Sequence, residues 1–170
     1  MLHHFPQRSD LIQASVRHLH RKRLEAFEDT LSKLNENADF TLVGEGIDAF
    51  WDQLQSPLFA VYCELLVASR TDAELKGTLE PAIRDFQTAW REKSEGIFPD
   101  LAQSEQYGLA TALTRYPLEG IAFNAQVAEG QILNAQSKVM IEWLKSTVRE
   151  MFQDVQISKS ALTAAEHQRK

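Results

Sequence analysis

Apolar residues recur at three- or four-residue steps along nearly the whole chain, and strand-like alternation is nearly absent. This is the period of a helix with one apolar face, so the sequence predicts five or six helices in an all-α domain. Glycine and proline are sparse, which favours short loops. The predicted helices cover about residues 9–34, 45–54, 57–69, 71–96, 104–128 and 134–152.

Caps and helix breakers set several of these boundaries. Pro57 suits the first position of the third helix. The segment Thr71–Glu74 has the spacing of a capping box and opens the fourth helix. Gly77 and Pro81 are expected to kink or break that helix, and Pro117 predicts a kink in the fifth.

The third predicted helix, from Pro57 to Ser69, is apolar nearly all round, so we expect it to be the buried central helix. Glu64 is its only charged residue. An ionised carboxylate there must be paired or must face a cavity. Glu64 therefore either forms a structural pair, with Arg70, Arg84 or a tryptophan N–H, or anchors a ligand in a pocket.

Aromatic residues from several predicted helices could form the walls of a pocket. Wide apolar walls with a few polar tips are typical of small-molecule sites, and core packing is the alternative explanation. The candidate ligand-binding residues are Trp51, Phe59, Tyr62, Cys63, Glu64, Phe86, Trp90 and Phe123.

The last predicted helix carries an apolar stripe that is too broad for a helix facing solvent. The stripe is buried either within the monomer or in a subunit interface. The candidate dimer-interface residues are Met140, Trp143, Leu144, Val148 and Met151, with Phe152 beside them.

Composition excludes several classes of protein. Hydrophobic residues make up 44% of the 170 residues, far above the disordered class. Cys63 is the only cysteine, which excludes an internal disulfide framework and a multi-cysteine zinc site and suits a reducing cytoplasm. No apolar run approaches the ~18 residues of a membrane span, and the N-terminus lacks the apolar core of a signal peptide.

The sequence motifs give little support to a catalytic site or a metal site. The pairs His3–His4 and His18–His20 do not place two imidazoles on one helix face. Cys63 lies in an apolar helix, where a thiol is usually inert packing. No nucleophile elbow, phosphate loop or dinucleotide fingerprint occurs. We therefore expect no catalytic residues, no metal and no cofactor.

The charge is uneven. Residues 1–23 carry five basic residues and one acidic residue, a balance of +4, and the remainder carries 13 basic and 23 acidic residues, a balance of −10. A basic end on an acidic body places any contact with a polyanion at that end, although a helix that merely begins with a few arginines gives the same count.

The start of the chain, Met1-Leu2-His3-His4-Phe5-Pro6-Gln7-Arg8-Ser9-Asp10-Leu11, resembles the close of the TetR-family DNA-binding head. That family reads roughly Leu-Tyr-Tyr-His-Phe-x-Ser-Lys-Glu-Glu-Leu just after its recognition helix. His4 and Phe5 match the His-Phe pair, and Leu11 matches the closing leucine. By this resemblance, His3 and Arg8 are the candidate DNA phosphate contacts, and the departure at Leu2 leaves no such contact there.

The layout of the whole chain is similar to the effector domain of that family. The resemblance implies a cytoplasmic, homodimeric, ligand-responsive transcriptional regulator, usually a repressor, whose last two helices form a four-helix bundle across a two-fold axis. Residues 1–8 would be a remnant of the helix-turn-helix head, residues 9–153 the effector-binding and dimerisation domain, and residues 154–170 a frayed tail.

The family's head needs two more helices and most of its recognition helix upstream of Met1. A helix-turn-helix reads base edges with its second helix, so we expect specific operator binding only from a longer form. The expected effector is an apolar or amphipathic small molecule, which the acid Glu64 allows to be cationic. One alternative is a non-DNA-binding helical module that dimerises with a full-length regulator and poisons it; another is a small all-α enzyme.

Overall fold

The structure, a computed structural model, describes residues 8–32, 42–126 and 131–153. These residues form seven α-helices and no strand, which confirms the all-α class. The helices are α1 (Arg8–Leu31), α2 (Val43–Leu54), α3 (Pro57–Ala68), α4 (Ala73–Ile97), α5 (Pro99–Ala102), α6 (Tyr107–Ala125) and α7 (Gln131–Met151). The tail at 154–170 and nearly all of the segment 1–8 lie outside the described residues.

The prediction for Gly77 and Pro81 was a kink or a break. Helix α4 runs unbroken through both residues, which excludes the break, and the kink stays a prediction. Proline cannot donate to the carbonyl four residues earlier, which here belongs to Gly77. Both residues are exposed, so water can solvate that carbonyl and the helix continues. Pro117 likewise lies inside α6.

The cap of α4 is one residue later than the capping-box spacing indicates. Asp72 is the N-cap, and its carboxylate accepts a hydrogen bond from the backbone N–H of Leu75 at 3.0 Å. Thr71 lies outside the helix, where its hydroxyl donates to the carbonyl of Ala68. The helix therefore opens as predicted, but an aspartate caps it instead of a threonine.

Helices α1 and α4 pack along each other, α1 also contacts α2 and α3, and α7 packs against α6 and α2. Ion pairs reinforce two of these contacts. Lys93 of α4 pairs with Glu28 of α1. The ammonium of Lys145 on α7 lies 2.6 Å from a carboxylate oxygen of Asp48 on α2.

An aromatic cluster joins α1, α2 and α4 in the middle of the core. The rings of Phe27 and Trp90 stack at 5.4 Å, and Phe50 meets both at 5.4–6.5 Å. Such pairs contribute beyond the apolar area that they bury, so this cluster fixes α4 against α1 and α2.

Helix α3 is not the buried central helix, which corrects the sequence prediction. Its buried residues are Phe59, Tyr62 and Cys63, while Val61 and Val67 are about half exposed. The helix packs against α1 and α4 from one side of the bundle. A helix with neighbours on one side buries one face, whatever the composition of the other.

Candidate functional site

An apolar cavity of about 70 Å³ lies in the core, bounded by every described helix except α3. Phe27, Phe50 and Trp90 form one part of its wall, and Tyr107 and Ala110 of α6 form another. A space of this size holds several water-sized spheres, yet an apolar cavity gives water few partners. The cavity is therefore suited to an apolar group.

The hydroxyl groups in the cavity wall already have hydrogen-bond partners within the protein. The hydroxyls of Ser94 and Tyr107 share a hydrogen bond of 2.6 Å. The hydroxyl of Thr114 donates to the backbone carbonyl of Ala110 at 2.9 Å, and that of Thr111 donates to the carbonyl of Tyr107 at 3.0 Å. Because these groups are paired, they do not require a polar ligand.

A buried arginine lies on the other side of the same aromatic wall. Arg23 of α1 is 1% exposed, although it carries a full charge. Its guanidinium carbon lies 4.2 Å from the ring centroid of Tyr62 and 4.4 Å from that of Phe86. These are cation–π contacts, which compensate part of the cost of burying the charge.

Two other charged groups, both from α6, line the small space beside this guanidinium. They are Arg115 and Glu119, and we call the set Arg23, Tyr62, Phe86, Arg115 and Glu119 the Arg23 centre. The Nε of Arg115 lies 3.7 Å from the Oε1 of Glu119, which is too long for a hydrogen bond. The Arg23 centre and the apolar cavity share Phe50 and Trp90 as lining residues, so these two rings form the wall between them.

Several donors of the Arg23 centre have no hydrogen-bond partner within the described part of the chain. They are the Nε and Nη1 atoms of Arg23 and the Nε of Arg115. The indole Nε1 of Trp90 also has no hydrogen-bond partner among these residues. Buried donors without partners are uncommon in proteins, and each calls for an acceptor.

Burial moves the titratable groups around Arg23 towards their neutral forms. Desolvation, assisted by the charge of Arg23, lowers the pKa of His20 from 6.5 to about 4. Desolvation raises the pKa of Glu119, Tyr62 and Cys63. Desolvation also lowers the pKa of Arg23, but a guanidinium stays protonated in proteins.

The structure brings together four of the eight predicted ligand-binding residues. Phe59, Tyr62 and Phe86 surround Arg23, and Trp90 lines both the apolar cavity and the Arg23 centre.

The other four line neither the apolar cavity nor the space beside Arg23. Trp51 packs half-buried against the core, and Cys63 is buried with its sulfur accepting a hydrogen bond from Gln126 at 3.6 Å. Glu64 and Phe123 are exposed. The prediction that Glu64 is a carboxylate in apolar surroundings was wrong, because it lies on the solvent side of α3.

The predicted interface residues of α7 lie on two different faces. Met140 and Trp143 are exposed, and Met151 is partly buried. Leu144 and Val148 are buried in the core of the chain itself. Of the predicted phosphate contacts, His3 lies outside the described residues, and Arg8 begins α1 with its side chain outside them.

No protein-family model, curated protein or solved structure matches this chain. Within residues 8–32, 42–126 and 131–153, no three His, Cys, Asp or Glu side chains are grouped to hold a metal ion. Over the same residues, no helix has the length and apolar composition needed to cross a membrane.

The sequence analysis missed Arg23 and Glu119 as site residues. Arg23 stands four residues after Leu19 and four before Phe27, both of which are buried. A residue at that position of an apolar stripe must face the core. That spacing was the signal that could have identified Arg23; Glu119 offers no comparable one.

Proposed function

We propose that this chain is the effector-binding and dimerisation domain of a ligand-responsive transcriptional regulator of the TetR type. The observation that carries the proposal is the apolar cavity among six helices, because a filled core would leave no place for an effector. DNA binding would belong to a longer form that carries a complete head, and the chain described here would bind the effector and a second copy.

Helix α1 supports this proposal by its position. It follows the segment that resembles the DNA-binding head, and its Phe27 lines the apolar cavity. A ligand that fits better with one position of α1 than with another would favour that position by the difference in affinity. Such a shift would alter the spacing of two heads on successive major grooves.

Exposed apolar residues on α6 and α7 support dimerisation. The exposed apolar residues on α7 include Val139, Met140 and Trp143, and the side chain of Trp143 is 61% exposed. On α6, Leu109 and Tyr116 are exposed seven residues apart and so lie on one face. Large apolar side chains grouped on a surface mark interfaces. The same surface would serve the alternative function, a module that dimerises with a full-length regulator without sensing an effector.

An enzyme is a weaker proposal for this geometry. Every shifted pKa around Arg23 favours the neutral form of its group. In an active site, by contrast, the environment moves the pKa values of the acid and the base apart from each other. The sulfur of Cys63 has the amide of Gln126 as its hydrogen-bond donor, and burial raises the pKa of the thiol, which disfavours the nucleophilic thiolate. Binding therefore accounts for these residues better than catalysis.

A cavity-filling variant tests the effector function. We expect toluene, a small apolar probe, to raise the Tm by about 3–5 °C at ten times its Kd. Ala110→Leu fills the apolar cavity and should abolish this rise. Ala112→Leu, the same change on a half-buried position of α6, should keep it. An equal rise in both variants, or none in the unmodified chain, would refute the cavity as the binding site.

Sedimentation equilibrium tests the dimer. Trp143→Glu places a charge in the exposed apolar surface and should give monomers, while Gln13→Glu at an exposed position of α1 should leave the dimer intact. A dimer that forms in Ala110→Leu, in which the cavity is filled, would show that dimerisation does not depend on the effector.

A further inference from the structure

We propose that the Arg23 centre binds the carboxylate of a small organic acid whose apolar body occupies the apolar cavity. This inference rests on the proposed effector function and specifies the ligand class. It reverses the ligand charge that the sequence allowed, which was a cation beside the acid Glu64. The buried charge next to the aromatic residues belongs to an arginine, so the ligand proposed here is an anion.

The first argument is the balance of charge. The charged residues lining the space beside Arg23 are two arginines and one glutamate, among the residues that the structure describes. His20, Tyr62 and Cys63 add no charge at neutral pH, because burial favours the neutral form of each. At least one positive charge is therefore left uncompensated in a buried position, where a single anion would neutralise it.

The second argument is the set of unpartnered donors. Arg23 contributes two, its Nε and Nη1 atoms, and Arg115 and Trp90 contribute one each. All three residues line the same space. A carboxylate has two oxygens with about four lone-pair sites, which equals the number of these donors. The Nε and Nη1 of Arg23 lie on different edges of the guanidinium, so a carboxylate accepts from one of them, and its second oxygen is free for Arg115 or Trp90.

The third argument is the arrangement of the two spaces. The space beside Arg23 is about 10 Å³, which is room for about one oxygen-sized atom. The apolar cavity of about 70 Å³ lies across the shared wall of Phe50 and Trp90. A carboxylate has three heavy atoms, so the space as it stands admits one carboxylate oxygen, and the Trp90 ring must tilt to seat the whole head and to connect the two spaces. The body of the ligand then lies in the apolar cavity.

Calorimetric titration of the full chain with butanoate, pentanoate and hexanoate tests this arrangement. We expect affinity to rise about fourfold for each methylene, because each enters the apolar cavity. Hexanoate should bind about tenfold or more tightly than hexanamide, which has the same shape without the charge. Nitrate, an anion without an apolar body, should bind far more weakly than hexanoate.

Replacing an arginine of the Arg23 centre should weaken the binding of hexanoate relative to hexanamide, and replacing its glutamate should strengthen the binding of hexanoate. Arg23→Met and Arg115→Gln should each reduce the ratio of hexanoate to hexanamide affinity, and Arg23→Met should reduce it to about one. Glu119→Gln removes the competing carboxylate and should raise the affinity for hexanoate. Arg17→Gln, on the exposed side of the same helix as Arg23, is the control and should leave the ratio unchanged. If Arg23→Met fails to fold, the opposite effects of Arg115→Gln and Glu119→Gln decide the question.

The outcomes separate this inference from the proposed function. If toluene and hexanamide bind as tightly as hexanoate, or if hexanoate binds Arg23→Met unchanged, the carboxylate site is refuted and the cavity function stands. If nitrate binds as tightly as hexanoate, the site takes a bare anion and the two-part ligand is refuted. If neither toluene nor any acid binds, both proposals fail.

Discussion

Replacing His20 removes a buried imidazole whose neutrality the fold requires, and this gives a sharp test of the Arg23 centre. His20 is 7% exposed, between the rings of Tyr62 and Phe86 at 5.6 and 5.3 Å. Neither of its ring nitrogens has a hydrogen-bond partner among the described residues. Its pKa is lowered from 6.5 to about 4, first by desolvation and then by the charge of Arg23.

The sign of the effect follows from proton binding. Between pH 6.5 and about 4, the unfolded chain binds a proton at His20 and the folded chain does not, so stability falls as the pH falls. With these two pKa values, lowering the pH from 7 to 4.5 costs the folded state about 2 kcal/mol through His20 alone. The loss is steepest between about pH 6 and pH 4.5, at roughly 1 kcal/mol per pH unit.

Urea unfolding followed by circular dichroism, across this pH range, measures the effect. His20→Phe keeps a ring but cannot titrate, so it should lose about 2 kcal/mol less stability than the unmodified chain between pH 7 and pH 4.5. His18→Gln, two residues away on the exposed side of α1, should lose as much stability as the unmodified chain. Burial raises the pKa of Glu119, which contributes the opposite sign, but Glu119 is present in all three proteins and cancels in the comparison.

The reasoning would be refuted if His20→Phe and the unmodified chain lost stability in parallel. That result would mean that the imidazole is protonated in the folded state, or that it is accessible to water. It would leave the charge balance at neutral pH nearly unchanged, but below about pH 6.5 a protonated His20 would add a second positive charge beside Arg23.

Two further predictions concern the fold. Asp72→Ala removes the N-cap of α4 and should lower the free energy of unfolding by about 1 kcal/mol, whereas Asp85→Ala, exposed in the middle of the helix, should change it by less than about 0.5 kcal/mol in urea titrations. Leu118→Ala, at a side chain that is 0% exposed, should cost about 2–5 kcal/mol, and Leu109→Ala, exposed on the same helix, should cost little. Equal costs within either pair would contradict the placement of those side chains.

The helices could be predicted from the sequence because their apolar period is independent of how they pack. Helices α1, α2, α3 and α7 begin and end within three residues of the predicted bounds. Of the predicted kink or break in α4, the break does not occur, because a proline ends a helix only where the freed carbonyl cannot find another partner. Whether Gly77 faces water depends on how α4 packs against α1, and that is a tertiary property.

The candidate site was harder to predict, and two charged residues show why. The third predicted helix is apolar nearly all round, so its sequence does not indicate which face is buried, and Glu64 lies on the exposed one. Helix α1 has a single apolar stripe, so its buried face is determined, and Arg23 lies within it. A charge interrupting a narrow stripe therefore locates a buried site more reliably than a charge in a uniformly apolar helix.

The position of Arg23 on α1 connects the proposed ligand with the proposed response. Helix α1 supplies Arg23 to one space and Phe27 to the other, and it follows the segment that resembles the DNA-binding head. An acid that pairs with Arg23 would oppose any movement of α1 that separates the guanidinium from α6, where Arg115 and Glu119 lie. The coupling cannot exceed the difference in the acid's affinity for the two positions of α1. Because the proposed acid pairs with Arg23, a regulator built on this domain should lose its preference for acids and its response to them in the same variant, Arg23→Met.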